Sequence, residues 1–440
     1  MARFLVTCWP FVGHLYPQIS VALALRERGH EVAFYTHESA RAVVEGEGFT
    51  LFAFDHVDAQ RYERIHTLEA EVPVTQPKYR TLSVAMTAYR DMLAGSIPEM
   101  VADLQPIIRT WRPAVIITDP ALWASILVVW ELTGVPVALL TQMIGSMIPG
   151  PDAPPWGPGL PPPRTFGTRL LARAVQLGTD IVAYNMRRNV NRIRARYGLR
   201  PMGCSVNEFT GRLPLYLIPS VPELDYNRRD QPSNVHYIGP CVWTRPAGGR
   251  SLEWLKTIPE GRPWVHATEG TAQYQQPFLL RAAAQGLASQ PLEVILTTGQ
   301  FSRDPAILGM DPLPPNVHVE RWVSHEDLLP RCSVLVTTGG AATVLASLKA
   351  GVPLVVVPTF WDKNDNAQRV AEAGVGLRLA PRHCTPDRLR AAVMRLIEEP
   401  TFRDAAQRMA RRFAEAPGPT RAAELLEVLA NEAPLPATAA

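Results

Sequence analysis

The feature that most constrains the fold is an alternation of short apolar runs with helical patterns, which occurs twice along the chain. In the first half, strand candidates at residues 3–8 and 31–35 flank a helical stretch at 17–28, which has a proline at its start. Strands that alternate with helices predict a parallel sheet covered by helices on both faces. Such sheets bind ligands at the carboxyl ends of their strands.

The same alternation restarts at residue 264, after a stretch rich in Pro, Asn and Gly. At 440 residues the chain is long enough for two domains of about 200 residues each. The sequence therefore predicts an α/β protein with two facing doubly wound domains. We assign residues 1–218 to a first domain, 219–250 to a linker, 251–418 to a second domain and 419–440 to a final helix and tail that return to the first domain.

Composition restricts the classes of partner. A formal net charge of +3 gives no reason to expect nucleic acid or an anionic membrane. The five cysteines are scattered, which argues against a disulfide framework or a zinc site and suits a reducing compartment. The longest uncharged apolar stretch, 121–130, is about half of a membrane span, and no signal peptide is recognisable. We expect a cytoplasmic protein without a membrane anchor, either a monomer or a homodimer.

A glycine turn in the second half indicates a binding site. A buried strand candidate ends in Gly339-Gly340 and opens at once into a helical pattern. Two glycines let the backbone approach a ligand closely, and a helix N-terminus offers free N–H groups and a partial positive charge. A diphosphate suits such a site, and Thr338 and Thr343 add hydroxyls. A bare strand-to-helix turn is the alternative.

A proline-rich segment at residues 149–163 lacks the backbone donors that a helix or sheet requires. It is predicted to be a semi-rigid surface loop. Its role is either that of a simple connector or that of a wall or lid over a binding cleft.

Ordered motifs along the whole chain resemble those of the nucleotide-sugar glycosyltransferases of GT-B architecture, which include plant secondary-metabolite and bacterial antibiotic enzymes. In the second half they are Trp322-Val-Ser-His325, Thr337 to Thr343, Gly351-Val-Pro353 and Asp362 to Ala367. In the first half they are Gly13-His14 followed by Pro17, Arg28 to Val32, Pro222-Glu-Leu224 and Ile238-Gly-Pro240. The resemblance implies transfer of a hexose from a UDP- or dTDP-sugar to a small apolar natural product.

Two residues of the first half are candidates for catalysis. His14 follows the first strand, on a predicted loop, where a neutral imidazole could take the proton of an acceptor hydroxyl. The resemblance implies that His14 is the general base and that Asp119, which ends the strand candidate 114–118, orients it. The alternatives are a histidine bonded to its own loop and an aspartate that caps the next helix.

The resemblance also implies a donor site in the second half. Its residues are Gly270, Thr271, Trp322, His325, Thr338, Gly339, Gly340, Ala341, Ala342, Thr343, Asp362 and Lys363. Trp322 matches the residue that stacks on the nucleobase, unless it is a core tryptophan. His325 occupies the family's glutamine position, but Ser324 and Asp327 beside it read as a capping box. The role of Glu269, a carboxylate next to a diphosphate, stays open.

Three further departures from the family pattern bear on the donor. Lys363 replaces a sugar-binding glutamine beside Asp362, and Thr338 replaces a phosphate-contacting histidine. A lysine only donates hydrogen bonds, so the sugar pocket should differ, and Lys363 either balances the diphosphate charge or is a solvated charge at a loop edge. Ala346 replaces the glutamate that holds ribose hydroxyls, which leaves dTDP-sugars open beside UDP-sugars.

No cofactor or metal is expected. The sequence has no Asp-x-Asp motif of the kind that holds a divalent ion on a diphosphate. Direct displacement, with one base opposite the leaving group, would invert the anomeric centre.

Apolar side chains of the first half could line an acceptor pocket. The candidates are Trp9, Phe11, Met86, Tyr89, Met143 and Phe166. Two alternatives to transfer remain: an epimerase acting on the nucleotide sugar itself, and an auxiliary paralogue with little turnover.

Overall fold

Two all-parallel sheets form the framework of the protein. The structure, a computed structural model, describes residues 1–58, 86–87, 89–226, 228–244, 250–271, 276–299 and 304–432. The strands of the first sheet are β1 (Arg3–Thr7), β2 (Glu31–Thr36), β3 (Thr50–Ala53), β4 (Val115–Thr118), β5 (Val137–Leu140), β6 (Leu215–Ile218) and β7 (Val235–Tyr237). Those of the second are β8 (Trp264–Thr268), β9 (Glu293–Thr297), β10 (Val317–Glu320), β11 (Cys332–Thr337), β12 (Leu354–Val356) and β13 (Gly376–Arg378).

Helices connect the strands and cover both faces of each sheet. In the first half they are α1 (Val12–Glu27), α2 (Arg41–Gly46), α3 (Ile97–Trp111), α4 (Trp130–Thr133), α5 (Phe166–Arg196) and α6 (Val206–Thr210). In the second half they are α7 (Arg250–Leu255), α8 (Phe278–Leu287), α9 (His325–Leu328), α10 (Ala341–Lys349), α11 (Lys363–Glu372), α12 (Pro386–Glu398), α13 (Pro400–Glu415) and α14 (Pro419–Glu432). π-helical turns occupy Tyr89–Ala94 and Ser125–Val129.

Both candidate sites lie where the strand order switches, that is, where successive strands begin to be added on the other side of the first strand of the sheet. The first sheet runs β3-β2-β1-β4-β5-β6-β7 and the second β10-β9-β8-β11-β12-β13. Parallel sheets open a crevice beyond the carboxyl ends of the two strands between which the order switches. The switch lies between β1 and β4, which precede His14 and Asp119, and between β8 and β11, which precede Gly270 and Gly339. This is the GT-B arrangement that the sequence predicts.

The final helix crosses back to the first sheet, as predicted. Ala422, Ala423 and Leu426 of α14 are buried in the core that α1 and the first sheet share. Glu427 accepts hydrogen bonds from Arg28 at 2.8 and 2.6 Å, and it pairs with His30. These contacts lower the pKa of Glu427 to about 2. Residues 433–440 of the predicted tail lie outside the described residues.

Two predictions about the first half need correction. Helix α1 begins at Val12, five residues before Pro17, so His14 lies in the first helical turn and not on a loop. A proline inside a helix removes one backbone bond, and α1 tolerates that loss at Pro17. Strand β7 lies within the predicted linker but pairs in parallel with β6, so a boundary at residue 218 cuts the first sheet.

Candidate functional site

His14 and Asp119 form a hydrogen-bonded pair at the switch point of the first sheet. Nδ1 of His14 lies 3.1 Å from Oδ2 of Asp119, whose side chain is fully buried. The carboxylate also accepts from the backbone N–H of Trp9 at 3.1 Å and of Ala121 at 2.7 Å. Because an ionised carboxylate only accepts, a neutral imidazole bonded to it in this way carries its proton on Nδ1 and its lone pair on Nε2. Asp119 thus both orients His14 and holds the loop that follows β4.

Gln142, which the sequence analysis did not single out, lies beside the same imidazole. It follows β5, and its side-chain nitrogen is 3.4 Å from Nε2 of His14. Its carbonyl oxygen is buried and has no hydrogen-bond partner within the described part of the chain. The carboxyl end of β5 therefore contributes to the cleft, as those of β1 and β4 do. The position of Gln142 directly after a strand was the sequence signal that could have identified it.

The glycine turn has the backbone geometry that the sequence predicts. Gly339 has φ +91°, and a Cβ atom there would lie 2.6 Å from Cγ1 of Val356. Gly340 directly precedes α10, and a Cβ atom added to Gly340 would meet nothing within 4 Å. Ala342 is exposed, so the first turn of α10 faces open space. Thr338 is different: its hydroxyl is buried and donates to the carbonyl of Glu269 at 3.2 Å, which leaves no proton for a phosphate.

Asp362 and Lys363 start helix α11 directly beside this turn. Asn366 links the two elements, because its side-chain amide donates to the carbonyl of Gly339 at 2.9 Å and to Oδ2 of Asp362 at 2.7 Å. Burial raises the pKa of Asp362, while Asn366, Lys363 and His14 act to lower it. The influence of His14 puts the imidazole of the first half within electrostatic reach of the Asp362 carboxyl in the second. Lys363 is only 8% exposed, so it is not a solvated charge.

Glu269 turns away from the glycine turn, toward the start of α8. Its Oε1 accepts from the backbone N–H of Leu279 at 2.7 Å, while Oε2 has no partner in the described residues. Burial raises the pKa of this carboxyl to about 7, against the lowering effect of the helix N–H groups and of Lys363. Near neutral pH the group is therefore partly uncharged, which reduces its repulsion of an anion nearby.

The Glu269→Gln variant should have a stability that varies less with pH. The folded-state pKa of about 7 exceeds the unfolded value near 4.5. Folded protein then binds more protons between these values, and stability falls as pH rises from about 4.5 to 7, by about 3 kcal/mol. Urea denaturation of both proteins at pH 5 and pH 7.5 measures this difference. Equal pH dependence in the two proteins would contradict it.

Trp322 and His325 have different environments. Trp322 is 49% exposed, so it is not a core tryptophan, and its ring is available for stacking. His325 packs edge-on against His266, with ring centroids 5.7 Å apart, and burial lowers its pKa to about 4. Ser324 occupies the N-cap of α9 without a side-chain bond, so the predicted capping box does not form. Gly270, with φ +72°, and Thr271 are exposed after β8.

The predicted acceptor residues do not form one pocket. Trp9 is fully buried and donates from Nε1 to the carbonyl of Ala121, so it belongs to the core. Met143 is also buried, and Phe166 is 82% exposed at the start of α5. Phe11 contacts the ring of His14 edge-on, with centroids 5.7 Å apart. Met86 is half-buried.

Tyr89 belongs to an apolar wall that spans both halves. Its ring lies 6.0 Å from that of Trp361 and 5.9 Å from that of Trp123. Trp361, which the sequence analysis did not select, precedes Asp362 and has φ +56°, an unusual value for a bulky residue. The wall therefore approaches the end of the cleft at which Asp362 lies.

The proline-rich loop contacts the second half, so it is more than a connector. The backbone N–H groups of Gly157 and Gly159 donate to Asp365 of α11, at 2.6 and 3.1 Å. Arg378 donates to the carbonyl of Gly159 at 2.5 Å. The loop is thus fastened to the helix that begins with Lys363.

Comparisons with known proteins agree with this arrangement. Residues 286–429 match the family described as erythromycin biosynthesis protein CIII-like, C-terminal domain. The chain is 33% identical to 4'-demethylrebeccamycin synthase of Lentzea aerocolonigenes over 97% of this chain and 99% of that protein. It is 27% identical to demethyllactenocin mycarosyltransferase of Streptomyces fradiae over 98% and 87%. The structure of the glycosyltransferase VinC in complex with dTDP has the same fold, with a TM-score of 0.67 at 23% identity over 98% and 99%.

Among the described residues, no helix is both long enough and apolar enough to cross a membrane. The full-length similarity to 4'-demethylrebeccamycin synthase, the matched family and the two-sheet fold agree with one another. The chain belongs to the GT-B family of natural-product glycosyltransferases, the enzymes of antibiotic biosynthesis that use nucleotide-sugar donors.

Proposed function

We propose that the protein is an inverting, metal-independent glycosyltransferase that moves a hexose from a UDP- or dTDP-sugar to a hydroxyl of a small apolar natural product. The observation that carries this proposal is the pairing of His14 with buried Asp119, within electrostatic reach of Asp362. The first half supplies a base, and the second half a site for the sugar and its diphosphate.

The first half deprotonates the acceptor. The lone pair on Nε2 of His14 takes the hydroxyl proton while the oxygen attacks the anomeric carbon. Asp119 accepts from Nδ1, which fixes the imidazole and stabilises its cationic form after proton transfer. The bond from the anomeric carbon to the diphosphate breaks as the new bond forms on the opposite face. One displacement inverts the configuration.

The second half stabilises the leaving diphosphate. The first N–H groups of α10 and the positive end of its dipole are aimed past Gly340, and buried Lys363, which acts to lower the pKa of Asp362, lies beside Gly339. This charge complement supports transfer without a metal. The three-residue cluster Asp55, His56 and Asp103 lies elsewhere in the described residues. There Asp103 already binds Tyr35 and two backbone N–H groups.

The nucleotide of the donor is dTDP or UDP. Ala346 stands on α10 where relatives that hold a ribose carry glutamate, and an alanine makes no hydrogen bond to a hydroxyl. A structural neighbour that binds dTDP supports the same direction. Exposed Trp322 is the stacking surface for the base, and the Tyr89–Trp361 wall suits an apolar acceptor.

Mass spectrometry of reactions with UDP- and dTDP-sugars and a library of phenols and alcohols tests the proposal. We expect a hexose mass shift on the acceptor, nucleotide release only when acceptor is present, full activity in EDTA and an inverted anomeric centre by NMR. Nucleotide release without acceptor would favour an epimerase or hydrolase instead. Nucleotide binding without any turnover would favour an auxiliary role.

The Lys363→Gln variant should bind the donor nucleotide about five- to tenfold more weakly, with a smaller dependence on salt. A buried ammonium close to the diphosphate contributes attraction that a neutral amide lacks, and salt screens part of it. Titration calorimetry with UDP and dTDP at two salt concentrations measures both effects. Lys349→Gln, at the exposed far end of α10, is the matched control. Unchanged affinity and salt dependence for Lys363→Gln would rule out this role.

A further inference from the structure

Helix α5 exposes an apolar stripe to solvent. Six of the ten large apolar side chains that the described structure exposes lie on this helix: Phe166, Leu170, Leu171, Leu177, Ile181 and Tyr184. The end of α5 is buried through Val190, Ile193 and Arg194, but before Val190 only Ala172 is buried in this fully described helix. Among the described residues, the first two-thirds of α5 therefore present an apolar face without a covering element.

The stripe has the spacing of a coiled-coil seam. Leu170, Ala174, Leu177, Ile181 and Tyr184 follow one another at intervals of four, three, four and three residues. This is the repeat by which two helices pack along their length, and it is narrower than the stripe by which a surface helix packs on its own core. We call these five residues the α5 seam.

We propose that the α5 seam pairs with the same seam of a second copy of this chain, antiparallel about a two-fold axis beside Leu177. A two-fold interface must be complementary to itself. In this register Leu177 faces the partner's Leu177, and small Ala174 lies within one residue, about 1.5 Å, of the level of the partner's Ile181. Leu170 then faces the partner's Tyr184, so that the small side chain of Ala174 leaves room for Ile181 between two pairs of large side chains.

Charge specifies the antiparallel orientation. Arg173 and Asp180 are exposed, lie seven residues apart and flank the seam on the same side. Flanking positions on the same side of two antiparallel helices face each other, so Arg173 lies opposite the partner's Asp180, and symmetry repeats the pair. A parallel pair would put Arg173 opposite the partner's Gly178 and form no ion pair. Asp180 accepts from Gln176 at 2.8 Å and has capacity for a second donor.

Light scattering coupled to gel filtration tests whether the seam forms a dimer. At about 100 µM, well above a micromolar dissociation constant, the protein should be a dimer. Leu177→Glu should give a folded monomer, because Leu177 is 67% exposed and supports no core. Thr179→Glu, an exposed position on the opposite face of α5, should remain dimeric. A monomeric native protein, or a dimer that Leu177→Glu leaves intact, would overturn the proposal.

Cysteine cross-linking tests the orientation. In the antiparallel register Leu177→Cys should form an intermolecular disulfide on mild oxidation. Leu170→Cys should not, because its two copies lie about 21 Å apart at 1.5 Å per residue. Cross-linking at both positions would indicate a parallel pair and overturn the register. The unsubstituted protein is the control, since Cys8, Cys204, Cys241 and Cys332 are buried and Cys384 is half-buried.

Charge exchange separates self-pairing from pairing with another protein. Arg173→Glu and Asp180→Arg should each weaken the dimer, because each puts like charges together. The double variant R173E/D180R should restore it, since both helices change together. Failure of the double variant to recover dimerisation, with its thermal unfolding unchanged, would contradict the proposed ion pairs.

Discussion

Replacing His14 by alanine should lower kcat/KM by about 10³-fold while the affinity for donor nucleotide stays unchanged. A general base contributes about 10²- to 10⁴-fold to a rate, and alanine has no atom that takes the hydroxyl proton. The imidazole belongs to the first half, whereas the glycine turn and Trp322 belong to the second, so nucleotide binding does not need it. Initial rates with acceptor, together with calorimetry of UDP or dTDP, separate the two effects.

His383→Ala is the matched control for this experiment. His383 lies in the short turn before α12, where only backbone hydrogen bonds involve it in the described contacts. It should keep the native rate. Turnover of the His14→Ala enzyme within tenfold of the native rate would show that another group takes the proton.

Asp119→Asn should also reduce turnover strongly. The amide offers one acceptor oxygen where the carboxylate offers two, and that carboxylate also binds the backbone of Trp9 and Ala121. Circular dichroism of this variant shows whether the lost rate comes with a lost fold. A fully active, folded Asp119→Asn enzyme would contradict the assigned pairing with His14.

The sequence was sufficient to predict the two sheets and the crossing helix. Buried parallel strands such as β4 and β11 are continuous apolar runs, which stand out from the helices between them. Because ligand sites lie at strand ends, placing β1, β4 and β11 also placed His14, Asp119 and Gly339. Prolines limited the prediction of helices. Because Pro17 was taken as the first residue of α1, the helix was predicted to begin five residues too late. Helix α3, which contains Pro98 and Pro106, was not predicted.

Side-chain direction was the second limit. Strand and helix periodicity does not show whether Trp9 points into the core or into the cleft, and the structure buries it. Glu269 was ambiguous for the same reason, because the N-terminus of α8, which receives its carboxylate, lies ten residues further along the chain. Trp361 joins the cleft only through its packing against Tyr89 of the first half. Such contacts depend on how the halves meet, and no local pattern encodes that.

Replacing Gly339 by alanine should destabilise the protein by about 3 kcal/mol. At φ +91° an L-residue is strained, and the new Cβ would lie 2.6 Å from Cγ1 of Val356, a buried strand residue that has no room to move away. The turn also carries the carbonyl that accepts from Asn366, so its displacement would disturb Asp362 as well. Urea denaturation and donor affinity should therefore both decline.

Gly340→Ala separates the fold of this turn from its function. Its Cβ would meet no atom within 4 Å, so we expect a loss of less than about 1 kcal/mol, the cost of alanine at a helix N-cap. If the diphosphate lies against the first N–H groups of α10, however, the added methyl group occupies its approach. Donor affinity should then fall about tenfold, equivalent to about 1.4 kcal/mol, in a protein of nearly native stability. Native affinity in Gly340→Ala would place the diphosphate elsewhere, whatever Gly339→Ala does to stability.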